Sequence, residues 1–110
     1  MNTILLVGSS IFQAWGTASE LVPHWHTANR AIGGTITGQW TEMLADVLAE
    51  ERPDVVLFYA GSNDLNKGIA PEAILANVLR CRSLVSRASA GIRFAYFGVI
   101  QAPQKKGRWA

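Results

Sequence analysis

The chain is 110 residues long, enough for one hydrophobic core and too short for two. With 49% apolar and 16% charged residues, a net charge of +2 and one cysteine, it reads as a single globular domain spanning 1–110. That balance excludes a disordered chain, a disulfide scaffold and the dense basic stripe expected of a nucleic-acid surface.

The first element expected is a strand, Thr3 to Val7, an almost unbroken apolar run too short and too poor in flanking basic residues for a signal peptide. It leads into the small-residue turn Gly8-Ser9-Ser10. Ile11 to Leu21 has poor periodicity and reads as a short helix followed by a loop. Thr27 to Ile32 is a weaker strand candidate, closed by Gly33-Gly34. Trp40, Met43, Leu44, Val47 and Leu48 follow the spacing of one apolar helix face, and the helix should stop near Glu51 because Pro53 disfavours helix at the preceding residue. Val55 to Ala60 is a second apolar strand, ending in Gly61-Ser62-Asn63-Asp64. The next helix opens at Pro71-Glu72, buries Ile74, Val78, Cys81 and Val85, and is expected to close at Gly91. Cys81 on that stripe reads as a core residue and not as a nucleophile. Phe94 to Ile100 is the last strand. No apolar run reaches the ~20 residues of a membrane span, so the default expectation is a soluble cytoplasmic protein with no membrane partner.

Alternating strands and helices imply an α/β fold with a parallel sheet wrapped by helices. In such sheets ligands bind beyond the carboxyl ends of the strands. Ser10 follows the first strand, Gly34 the second and Asn63 the third, so all three are expected at one rim. A serine at a tight strand-to-helix turn exposes its hydroxyl as a nucleophile. Gly34 lets backbone approach a ligand, and Asn63 supplies a side-chain N–H, the donors an oxyanion requires. A plainer reading stays open for each: strand-end turns for the glycines, and a turn or helix cap for Asn63-Asp64. A phosphate binder at Gly8-Ser9-Ser10 is conceivable from a helix start, but no glycine-rich loop ending in Lys-Ser/Thr is present.

Gly8-Ser9-Ser10-Ile11-Phe12-Gln13-Ala14-Trp15 resembles the nucleophile block of the SGNH, or GDSL-type, hydrolases, with Ser10 at the nucleophile position and Ser9 where Asp often stands. Asn29 to Gly34 resembles the second block of that family, whose last glycine gives an oxyanion N–H. Gly61-Ser62-Asn63-Asp64-Leu65 resembles the third, whose asparagine is an oxyanion donor. The similarity continues through Gln101-Ala102-Pro103 and Arg108-Trp109. It implies a three-layer flavodoxin-like fold with four strands in order 2-1-3-4, covering roughly the first half to two-thirds of a family member. The family's fifth strand, last helix and Asp-x-x-His element, with the catalytic base, are not among the 110 residues.

The resemblance implies a serine esterase for small or short-acyl esters, using Ser10, Gly34 and Asn63 and neither a metal nor an organic cofactor. The other expectation is a non-catalytic oligomer that at most binds acyl or carbohydrate ligands. His24 and His26, the sequence's two histidines, are weak candidates for the base. They precede the second strand, and the five or so residues from His26 to Ala31 span about 17 Å, which puts them at the rim opposite Ser10. A base supplied in trans by an oligomer is the alternative. The last strand would be an exposed apolar edge, so a homo-oligomer burying it is expected.

Overall fold

The computed structural model describes residues 2–9 and 23–97. In chain order these form β1 (Thr3–Gly8), β2 (His26–Asn29), α1 (Thr37–Glu51), β3 (Val55–Tyr59), the short α2 (Ser62–Asn66), α3 (Pro71–Ala88) and β4 (Arg93–Phe97). The four strands make one parallel sheet in the order β2-β1-β3-β4. This is the α/β architecture and strand order expected from the sequence. The helix expected over Ile11 to Leu21, which would cover the second face of the sheet, lies outside the described residues.

Register explains which side chains share a face. Leu5 aligns with Ala28 and Val56, and Val7 with Phe58. Phe94 and Tyr96 continue that row on β4. These residues meet α1 and α3 in one core with Trp40, Leu44, Leu48, Val78, Cys81 and Val85. Phe58 is its centre, with the Trp40 ring edge-on at 6.4 Å and the Tyr96 ring at 5.7 Å. Burying each such side chain contributes about 1.5–3 kcal/mol. Leu6 and Tyr59 point to the opposite face and form a second small cluster with Ala31. Burial of Leu5, Leu6 and Val7 on both faces is why β1 reads as a continuous apolar run.

The element ends follow local chemistry. α1 stops at Glu51, where Arg52 turns left-handed (φ 47°) and donates its N–H to the Leu48 carbonyl (2.9 Å), directly before Pro53. α3 opens on Pro71 at its first turn. It ends at Ala88, short of Gly91: Ser89 caps it in extended conformation, and Gly91 does not adopt positive φ. β2 is shorter than the predicted Thr27 to Ile32, because the Asn29 side chain accepts the Ala31 N–H at 3.1 Å and turns the chain. Arg30 and Ile32 still donate to the Leu6 and Gly8 carbonyls, keeping this turn against β1. β4 begins one residue before the predicted strand, and positions 98–100 lie outside the described residues. Burial pushes the Cys81 thiol up to about 11, as suits a core residue.

Candidate active site

The carboxyl ends of β1 and β3 are held together by a contact only glycine permits. Gly8 has φ 122°, and a Cβ there would stand 1.9 Å from the Tyr59 carbonyl oxygen. With that approach made, the Ser9 N–H donates to the same oxygen at 2.9 Å, and Ser9 is buried. The chain therefore leaves the sheet at Gly8-Ser9. Ser10, next in sequence, lies outside the described residues.

The turn after β2 docks onto this point. The Thr35 hydroxyl lies 2.7 Å from the Ile32 carbonyl and 3.0 Å from the Gly8 carbonyl, to which it donates, and it accepts the Trp40 Nε1–H at 3.1 Å. Gly34 in this turn has φ 82°, with open space where a side chain would be. Its backbone conformation, not crowding, calls for glycine.

The turn after β3 completes the rim. Asn63 opens α2 and donates its side-chain amide to the Thr35 carbonyl at 3.0 Å. An amide nitrogen carries two hydrogens, so a second donor remains after that bond. Asp64 points inward. Its fully buried carboxylate accepts the Thr37 N–H (3.0 Å) and the Thr37 hydroxyl (2.6 Å), and that hydroxyl accepts from Asn77 of α3. Asp64 thus caps α1 from another element, where the helix dipole favours an anion. Beside it, the Tyr96 hydroxyl donates to the Ala60 carbonyl at 2.7 Å. Burial first, then the Asp64 charge, raises the Tyr96 pKa above its ordinary value.

Gly34 and Asn63 are thereby brought together through Thr35, at the end of the sheet where Gly8-Ser9 leaves β1. The two histidines are elsewhere. His26 starts β2, pairs in register with Thr3 and donates its N–H to the Asn2 carbonyl (2.8 Å); His24 precedes it. Both belong to the opposite, amino-terminal rim. A cavity of about 850 Å³ also opens at that rim, between the carboxyl ends of α1 and α3, and none of the candidate residues lines it.

Thr35 and Asp64 were not among the sequence candidates. Thr35 and Thr37 precede the apolar stripe of α1, where a capping residue is expected. The cap itself comes from Asp64, a partner 27 positions away that local pattern does not reveal. Replacing Thr35 by Val keeps its shape but strands the buried Trp40 N–H. A loss of about 1–3 kcal/mol is expected in urea unfolding, with Thr35→Ser restoring most of it.

No family model matches the chain. An arylesterase of Vibrio mimicus is 33% identical over 64 residues, a match covering 58% of this chain and 32% of that protein. The solved structure of TesA superposes with a TM-score of 0.82 at 24% identity, covering 98% of this chain and 66% of that one. AlinE4, an esterase of the SGNH-hydrolase family, gives 0.79 at 21% identity, over 94% of this chain and 61% of that one. The resemblance to the SGNH hydrolases is thus shown in the fold, by a chain that spans two-thirds or less of these relatives' length.

Proposed function

We propose that the chain is an SGNH-type serine esterase acting on small or short-acyl carboxylic esters. Ser10 attacks the ester carbonyl. The backbone N–H groups of Ser10 and Gly34 and the side-chain amide of Asn63 receive the oxyanion. The observation that carries this reading is the bond from Asn63 to the Thr35 carbonyl, which holds a side-chain donor beside the open turn at Gly34. Each such donor is worth roughly 3 kcal/mol in the transition state. The partial likeness to an arylesterase supports the acyl-transfer chemistry.

One observation favours a second reading. Both histidines sit on the rim away from Gly34 and Asn63, so neither reaches an ester held there. Donors without a base bind an acyl or carbohydrate ligand and turn it over slowly, if at all; an oxyanion hole and binding alone give ~10³–10⁴-fold acceleration over water.

A fluorophosphonate probe separates the two. The esterase reading expects stoichiometric labelling, absent in Ser10→Ala and slowed about 10²-fold or more in Asn63→Ala. It also expects slow p-nitrophenyl acetate hydrolysis that falls to the buffer rate in Ser10→Ala. Labelling or hydrolysis unchanged by Ser10→Ala removes the serine mechanism, and no labelling of the wild type leaves the binding reading.

A further inference from the structure

One flank of the molecule combines an outermost strand with an exposed apolar helix stripe. Among the described residues β4 pairs with β3 alone. Phe94 and Tyr96 face the core, whereas Arg93, Ala95 and Phe97 are exposed, Phe97 at 47%. At 100° per residue, Leu75, Leu79, Arg82 and Ser86 of α3 form a stripe beside its buried one. Asn77, which binds Thr37 of α1, marks the other side of α3. The Leu75 stripe therefore overhangs β4, and Leu75 and Leu79 are 59% and 48% exposed.

We propose that this flank docks a second copy of the chain, with β4 pairing antiparallel to its counterpart across a two-fold axis at Ala95. The strand sequence Arg93-Phe94-Ala95-Tyr96-Phe97 is complementary to itself about that residue. Phe94 comes opposite the partner's Tyr96 on the core face, an aromatic cross-strand pair. Arg93 comes opposite the partner's Phe97 on the other face, a cation over a ring. Ala95 meets its own copy, and its small side chain lets the backbones close. The two α3 helices then also run antiparallel. Glu72 near one end and Arg82 toward the other bring acid against base while Leu75 and Leu79 are covered.

Such an interface is isologous and closes at two copies, whereas a parallel head-to-tail addition would leave open edges and grow. It joins eight strands in one sheet. The partner's β2 lies six strand spacings from β1, about 29 Å, so this dimer leaves each candidate site to its own chain and brings no histidine to it.

Sedimentation velocity of the 110-residue chain is expected to show a dimer dissociating to monomer on dilution. Ala95→Cys is expected to give an interchain disulfide on mild oxidation, since directly opposed Cβ atoms lie within bridging reach; Glu42→Cys, on the outer side of α1, does not. Ala95→Lys sets like charges against each other and yields monomer with an unchanged far-ultraviolet circular dichroism spectrum. Should that variant not fold, Leu79→Lys on α3 tests the same interface without touching the strand. A wild type that stays monomeric at all concentrations overturns the proposal. So does a dimer insensitive to these lysines, or assembly that grows without limit.

Discussion

Gly8→Ala is expected to leave little folded protein. The added methyl carbon would sit 1.9 Å from the Tyr59 carbonyl oxygen, inside covalent-scale repulsion, and that oxygen is main chain and cannot rotate aside. The φ of 122° is also one that only glycine adopts without strain. Relief requires β1 and β3 to separate at their carboxyl ends, which breaks the Ser9 N–H bond to Tyr59 and loosens the Ile32 and Thr35 contacts to the Gly8 carbonyl. A cost above about 4 kcal/mol is expected, a large share of the 5–15 kcal/mol that holds a domain folded. Soluble yield and the urea midpoint are the readouts. A variant with wild-type stability would mean that the two strands do not approach in this way.

Asp64→Ala is the second large effect. The carboxylate is fully buried and accepts both the backbone N–H and the hydroxyl of Thr37, so its removal strands two buried donors at the first turn of α1. Hydrogen bonds to a charged group contribute about 1.5–3 kcal/mol each, and the cap also loses a favourable anion at the helix dipole. A destabilisation of about 3–4 kcal/mol is expected, with Asp64→Asn costing roughly half, because one carbonyl oxygen still accepts. Urea unfolding at constant m-value checks both. Equal midpoints for Asn and Ala would show that the oxygen acceptor contributes little.

The fold was legible because period and punctuation agree. β1, β3, α1 and α3 each carry an unbroken apolar run or a 3.6-residue stripe bounded by Pro53, Pro71 or Gly8. What stayed hidden is long-range. Nothing in Gly61-Ser62-Asn63-Asp64 says that Asn63 turns toward Thr35 while Asp64 turns toward Thr37. The plain reading of this pair as a cap applies to Asp64, on a distant helix, while Asn63 holds its amide on the rim. The end of β2 was misjudged for a related reason: Asn29 accepts the Ala31 N–H and ends a run whose hydrophobicity continues to Ile32. The placement of His24 and His26 at the far rim follows directly from parallel strand direction.

The strand-end rim is built almost wholly on main-chain acceptors: the oxygens of Tyr59, Gly8, Thr35 and Ala60 receive the bonds that join its turns. Carbonyls persist through any substitution, so the scaffold tolerates mutation at the positions that face outward. Ile32 is 45% exposed and Gly33 is exposed beside the open Gly34 turn, so residues 32 and 33 are where library design can reshape ligand preference without dismantling the frame.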